Sequence, residues 1–281
     1  MKVITTIKEM QEVIMNHKSQ SKTIGFVPTM GFLHEGHLAL LKKARAENDI
    51  VAMSIFVNPL QFGPSEDFTS YPRDFERDRA LAECEEIDYL FYPSVNEMYP
   101  HPSSVKVIVQ ERTNVLCGTS RPGHFDGVAT VLTKLFNIMQ PTRAYFGKKD
   151  AQQVAVIDGL ITDFHFPIEL IPVDIVREDD GLAKSSRNVN LTTEERSQAT
   201  VLYKSLVMAK MAIDEGERDP EQLKTKISEY ITSESNGQID YVDILTYPHL
   251  KPLDELSGTI IIALAVKFSN VRLIDNFILE I

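Results

Sequence analysis

The chain has 281 residues, 43% hydrophobic and 25% charged. These are ordinary globular proportions that exclude a disordered or low-complexity chain and fit one large domain or two unequal ones. Its 29 Lys and Arg against 40 Asp and Glu leave a formal charge of −11. That argues against a nucleic-acid partner, which needs a basic face, and against a membrane-surface protein.

In chain order, the N-terminus MKVITTIKEMQEV is charged throughout and has no signal-peptide core. Residues 23–29 (TIGFVPT) read as a short apolar strand. Residues 36–47 follow as a helix with Leu38, Leu41 and Ala44 at helical spacing, and 50–57 (IVAMSIFV) as a second strand. Such strand–helix–strand units imply a parallel sheet with right-handed crossovers. The alternation continues with a helix at 71–86 carrying Pro72 near its start, then a strand at 88–92. A strongly apolar-faced helix at 127–140 is stopped by Pro141, and strand 143–146, helix 151–163 and strand 168–176 come after it. This is a doubly wound α/β pattern.

The character changes after Asn190. Thr192 and the acids behind it predict a helix to about Glu215, and Asp219-Pro220 starts another. Three strands are expected at 239–245, 259–268 and 271–279, making a smaller α+β domain. The boundary falls near the EDDG turn, giving domains 1–176 and 177–281. The longest apolar run, 260–266, reads as a buried strand and is far short of the roughly 20 residues of a membrane span. Cys84 and Cys117 are far apart and in no CxxC pattern, so a disulfide framework or zinc ribbon is not expected and a cytoplasmic location fits.

Four segments carry chemistry. In PTMGFLHEGHLALL (residues 28–41) a strand ends, Gly31 permits a tight turn, and His34 and His37 open a helix. Imidazoles three residues apart share one side, and a helix N-terminus binds phosphate. Two such donors suit a triphosphate whose pyrophosphate is leaving, and Gly36 keeps the backbone clear for close approach. The spacing is not HExxH, and GTSRPGH (118–124) has His124 where a Walker A loop needs Lys. In SIFVNPLQFGPSEDFTSYPRD (54–74), Gln61 lies beyond the carboxyl end of a strand, where α/β sheets bind ligands; its amide suits a hydroxy acid or carboxylate. In RPGHFDGVATVLTKLFNIMQPTRAYFGKKDAQQV (121–154) a strand ends in Gly147-Lys148-Lys149-Asp150 before a helix begun by Gln152-Gln153, so the lysines are candidate phosphate contacts. In REDDGLAKSSRNVNL (177–191), Lys184, Ser185, Ser186 and Arg187 suit a loop closing on phosphate.

Taken in series, PTMGxLHEGH, FVNPxQFGPxEDFxxYPR, RPGHFxGVATVxxKLF, FGxKDxQQ and SSRN, with RLIDN at 272–276, closely resemble the pantothenate synthetase (pantoate–β-alanine ligase) family of H-x-G-H nucleotidyltransferases. The resemblance implies a Rossmann-like doubly wound parallel sheet, a smaller C-terminal lid domain and a homodimer. It also implies ATP with Mg²⁺, pantoate and β-alanine as small-molecule partners, joined through pantoyl adenylate with release of pyrophosphate and AMP. Residue by residue, it implies ATP contacts at Met30, Gly31, Phe32, Leu33, His34, Glu35, Gly36 and His37, with His37 the proton donor. Gly147, Lys148, Lys149, Asp150, Val176, Lys184, Ser185, Ser186 and Arg187 match further ATP contacts. Gln61 matches a glutamine shared by pantoate and β-alanine, Gln153 a second pantoate contact, and Arg121 a basic residue near the phosphates. His34, His37, Lys149 and Arg187 are the expected catalytic set. Three positions depart from the family's pattern: Phe32 for Ala, Lys184 for Met, and Asp126 where Arg is frequent. A one-step nucleotidyltransferase and an ATP-binding module without catalysis are the alternative readings.

Overall fold

The computed structural model describes residues 1–63 and 68–281; residues 64–67, inside the second motif, lie outside the described residues. Two compact units result: Met1–Glu111 with Ser120–Lys148 and Val156–Asp174, and Arg112–Thr119 with Lys149–Ala155 and Ile175–Ile281.

The first unit follows the chain through β1 (Lys2–Ile4), α1 (Ile7–Ser19), β2 (Ile24–Thr29), α2 (Glu35–Glu47), β3 (Ile50–Ile55), α3 (Phe75–Cys84) and β4 (Tyr89–Phe91). It continues with the short α4 (Val95–Met98), while α5 (Cys117–Ser120) falls almost wholly in the second unit; then come α6 (His124–Met139), β5 (Arg143–Gly147), α7 (Ala151–Asp163), whose first five residues are counted with the second unit, and β6 (Glu169–Val173). The strands form one parallel sheet in the order β1-β4-β3-β2-β5-β6. β2 is buried at five of six positions, as expected for a strand covered on both faces. α2 drives Leu40, Leu41 and Ala44 into a core with Val27, Val51, Met53 and Tyr145. Two expectations shift. Residues 2–19, where no element was read, form an edge strand and a helix capped by Thr6. The helix expected from 71 begins at Phe75, because the Asp74 carboxylate takes the Arg77 N–H and caps it there.

The second unit adds α8 (Thr193–Gln198), α9 (Val201–Asp214), α10 (Pro220–Glu234), β7 (Gln238–Thr246), β8 (Thr259–Lys267) and β9 (Arg272–Glu280). The strands form an antiparallel sheet, β7-β8-β9, whose central strand buries seven consecutive residues. α9 and α10 cover it through Leu202, Leu206, Leu223 and Ile227. The single helix expected over 192–215 is two. The Thr200 hydroxyl turns back onto the Ser197 carbonyl at 3.0 Å, and the helix restarts at Val201.

α8 starts with a reciprocal cap: Thr192 Oγ1 accepts the Glu195 N–H, and Glu195 accepts the Thr192 N–H. The other Glu195 oxygen accepts from Ser269 N and Oγ. These donors, the Ser269 hydroxyl first, hold the Glu195 carboxyl down at about 2. A depressed acid contributes stability above its unfolded value of 4.5 and loses it as pH falls toward about 2. Glu195→Gln is therefore expected to lower the denaturation midpoint at pH 7, with the gap to the parent closing across that acid window. A gap that stays constant with pH contradicts this assignment.

Candidate active site

β3, β2 and β5 are adjacent and parallel, so their carboxyl ends share one edge of the sheet. The chain runs from β2 outward to β3 on one side and places β5 on the other. The β2 end is thus the point where strand order reverses, the usual ligand crevice of such sheets. The H-x-G-H turn leaves β2, the Gln61 turn leaves β3, and Gly147 ends β5.

The β2–α2 turn is built tightly. Gly31 and Phe32 both take positive φ, 83° and 52°. A side chain at Gly31 would be strained there and would also crowd the Asp78 carboxylate. Asp78, from α3 and almost fully buried, accepts the Phe32 N–H at 2.6 Å and the Leu33 N–H at 2.7 Å. Arg77 lies 3.7 Å from the same carboxylate, and its guanidinium stacks on the Phe32 ring at 5.4 Å. The bulky Phe32 is therefore accommodated by a cation–π contact. Nothing in the local pattern of FERDRALAEC marked Asp78 as a site residue; its partners lie 45 and 46 residues away.

His34 is the N-cap of α2. Its Nδ1 accepts the Gly36 N–H at 3.1 Å, and the His37 Nδ1 accepts the His34 N–H at 3.3 Å. The rings sit 4.2 Å apart, tilted by 50°. An Nδ1 that accepts carries no proton, so each neutral ring keeps its proton on Nε2. A Cβ at Gly36 would lie 2.8 Å from His34 Cε1, so the glycine also makes room for the imidazole.

Gln61 is buried in the turn Pro59–Gln61. Its Nε2 lies 3.2 Å from Met30 Sδ, which joins this turn to the β2–α2 turn. Asn58 Nδ2 donates to Gln61 Oε1 at 3.3 Å and to the Gly127 carbonyl at 3.0 Å, and Tyr99 donates to Asn58 Oδ1 at 2.9 Å. The RPGHFDG segment explains itself here. His124 Nδ1 donates to the Gln61 carbonyl at 2.8 Å, and its Nε2 accepts from Arg121 at 3.0 Å. A carbonyl needs a donor and a guanidinium needs an acceptor, which fixes this tautomer opposite to that of His34. Gly127 lets α6 approach, since a Cβ would meet the Leu60 carbonyl. Asn58, Tyr99 and His124 were missed because loop and aromatic residues carry no spacing signal. Asp126 accepts the Val109 N–H and pairs with Lys106, so it orders residues 106–109.

A Cβ at Gly147 would meet open space. Lys148 pairs with Asp174 at 2.7 Å. The other predicted residues belong to the second unit. Lys149 and Asp150 form a single 3₁₀ turn with Lys148, and Gln153 lies in the first turns of α7. Its neighbour Gln152 is buried, with both amide protons on the Arg112 and Val115 carbonyls. The Lys184 N–H donates to Val176 O at 2.9 Å, and its ammonium pairs with Glu178 at 2.7 Å. Lys184 in place of Met thus adds an ion pair and keeps the backbone bond. Ser185 caps the turn Ser186–Asn190 by accepting the Arg187 N–H.

A doubly wound sheet with this edge defines a nucleotide-handling α/β protein. The sequence model described as Pantoate-beta-alanine ligase matches residues 2–278. A pantothenate synthetase of Geobacillus sp. (strain WCH70) is 64% identical over 279 residues, 99% of each chain. One of Bacillus cytotoxicus is 60% identical over all 281 residues. Among solved structures, pantothenate synthetase from Thermus thermophilus superposes with a TM-score of 0.93 at 44% identity, covering 99% of each chain. Pantoate-beta-alanine ligase from Francisella tularensis, complexed with beta-gamma ATP and beta-alanine, superposes with a TM-score of 0.79 at 36% identity, covering 99% and 97%. The chain belongs to the pantoate–β-alanine ligase family and is an enzyme. Among the described residues no helix is long and apolar enough to cross a membrane.

Burial raises the Asp78 carboxyl against the two N–H bonds that favour its charge. The folded protein therefore takes up this proton at higher pH than an unfolded chain. The favourable contribution of the protonated form is present at low pH and lost as pH rises. The same proton removes an acceptor from the turn. An acid limb in the KM for ATP, above the ordinary aspartate range, is expected in the parent and absent in Asp78→Asn. That variant leaves one N–H facing an amide N–H₂, at a cost of about 1–3 kcal/mol, and a KM for ATP raised about tenfold at pH 8. An unchanged KM contradicts the assignment.

Proposed function

We propose that this enzyme joins pantoate to β-alanine in two steps, making pantothenate. In the first, the pantoate carboxylate attacks the α-phosphorus of ATP, and pyrophosphate leaves from a pantoyl adenylate. In the second, the β-alanine amine attacks the activated acyl carbon, and AMP leaves. A carboxylate is a poor acyl donor until adenylation supplies that leaving group. Family membership supports the overall ligation, and the ATP- and β-alanine-bound relative supports both substrates.

One observation carries the mechanism: His34 and His37 cap α2 through Nδ1 at the reversal point of the sheet, which places each neutral ring's proton on Nε2, and Met30 joins this turn to the one that holds Gln61. His34 and His37 take the phosphates, with the Nε2–H of His37, the expected donor, hydrogen-bonding to the departing pyrophosphate as charge develops on it. Met30, Gly31, Phe32, Leu33, Glu35 and Gly36 shape that cradle, and Gly147, Lys148, Lys149, Asp150 and Val176 are further ATP contacts. Lys184, Ser185, Ser186 and Arg187 form a loop that takes phosphate, with Lys149 and Arg187 neutralising charge. Gln61 holds the pantoate and then β-alanine, Gln153 holds pantoate, and Arg121, oriented by His124, is the basic residue near the phosphates. In this reading residues 1–176 bind ATP and pantoate and residues 177–281 form the lid. The enzyme is a cytoplasmic homodimer. Mg²⁺ enters as part of the substrate, carried in on the ATP phosphates.

The test is a purified-enzyme assay that follows pyrophosphate and AMP separately. Pyrophosphate without β-alanine is expected as a single-turnover burst that requires pantoate, and AMP release is expected only when β-alanine is added. Steady pyrophosphate release that ignores β-alanine would favour the one-step transferase, and no product at all would favour the inactive binding module. His37→Ala is expected to slow the burst by about 10²-fold; a burst at the parent rate removes His37 from the mechanism.

A further inference from the structure

The segment RLIDN closes the sequence resemblance, yet no role attaches to it in the reaction. It lies at the start of β9, where side chains alternate between the two faces of the sheet. Asp275 and Phe277 point to the face covered by α9, and Asn276 and Ile278 to the opposite face. Phe277 packs with the α9 core, and Ile278 packs with Ala151 and Ala155 at the start of α7.

On the first face, the fully buried Asp275 carboxylate takes a bidentate pair from Arg177, at 2.7 and 2.9 Å. The guanidinium also donates to the Gly181 carbonyl at 3.0 Å and lies over Tyr203 at 4.3 Å. Gly181, at φ 93°, turns the chain directly on that Tyr203 ring, where any Cβ would collide. Arg177 bridges to Ala183, and the next bond outward joins Lys184 N to Val176 O. Asp275 therefore anchors the base of the turn from which residues 184–187 emerge. On the other face, Asn276 Nδ2 donates to the Lys149 carbonyl at 3.0 Å. The Asp275 carboxylate meanwhile accepts the Asn276 N–H at 2.8 Å, coupling the two side chains.

We propose that Asp275 and Asn276 are positioning residues that hold the two cationic ATP-contact segments, Lys149 and Lys184–Arg187, from opposite faces of one strand. The proposal rests on the reading of those segments as ATP contacts. Displacing a catalytic group by about 1 Å costs about 10²-fold in rate, so loss of either anchor acts through the group it places.

The experiment measures pantoate-dependent pyrophosphate formation in the full-length enzyme. The variants are Asn276→Ala, Asp275→Asn, Lys149→Ala and Arg187→Ala, with the doubles Asn276→Ala/Lys149→Ala and Asp275→Asn/Arg187→Ala. Asn276→Ala and Asp275→Asn are each expected to lower kcat/KM for ATP about tenfold or more while KM for pantoate stays within about twofold. Each double is expected to lose clearly less than the product of its two single losses, because the anchor acts through the segment that carries that cation. Multiplicative losses in the doubles, an equal rise in KM for pantoate, or full activity of the anchor variants would overturn the proposal. Where Asn276→Ala does not fold, Asn276→Asp keeps the volume, removes the donor and carries the same expectation. Full activity of Lys149→Ala instead overturns the ATP reading of Lys149 itself, and the role of Asn276 with it.

Discussion

Between Thr29 and Glu35 the chain must leave a parallel strand and enter a helix that packs back on the same sheet, and it has five residues in which to do so. Two consecutive left-handed residues make the turn, and they aim the Phe32 and Leu33 N–H groups into the protein rather than at solvent. A buried carboxylate, Asp78, takes both. Buried backbone donors are costly when unpaired, so the turn keeps this shape only while that acceptor is present. Everything nearer the chemistry is stacked on it: the cap made by His34, the ring of His37 and the Gln61–Met30 contact.

The cap itself answers two requirements with one arrangement. Helix N-termini leave backbone N–H groups without partners, and side chains usually satisfy them with oxygen. Here imidazole nitrogens do so. Accepting at Nδ1 forces the remaining proton to Nε2, which turns a structural cap into a pair of oriented donors. The glycine between the histidines follows from the same geometry, because His34 folds its ring over residue 36. His124 uses the reverse tautomer and serves the acceptor side, setting the Gln61 backbone and the Arg121 guanidinium together.

Much of this was legible in the sequence, for reasons that differ by residue. The apolar strands were readable because burial on both faces leaves runs of Ile, Val and Phe, and α6 because its apolar residues recur at helical spacing. Residues 30–37 could be singled out because two histidines and two glycines fall in one short turn, and the family's motifs supplied the other expected positions. Asp78 was not, since its charge sits among the charges of an exposed-looking helix and its partners are far away in sequence. The three-residue β1 is too short to show alternation. The break at Thr200 depends on one hydroxyl choosing the Ser197 carbonyl, which periodicity does not report. Gly36 was read as clearing the backbone for a ligand, and the His34 ring for which it also makes room was not read.

The two Nε2–H donors exist only in one tautomer of His34 and His37, and nitrogen-15 NMR of the imidazoles measures that tautomer directly. In the free enzyme at alkaline pH, both rings are expected to show an unprotonated, hydrogen-bonded Nδ1 and a protonated Nε2. Addition of ATP is expected to shift the Nε2–H resonances of both. A protonated Nδ1 on either ring, or Nε2–H resonances that ignore ATP, would contradict the claim that the α2 cap prepares the two donors for phosphate.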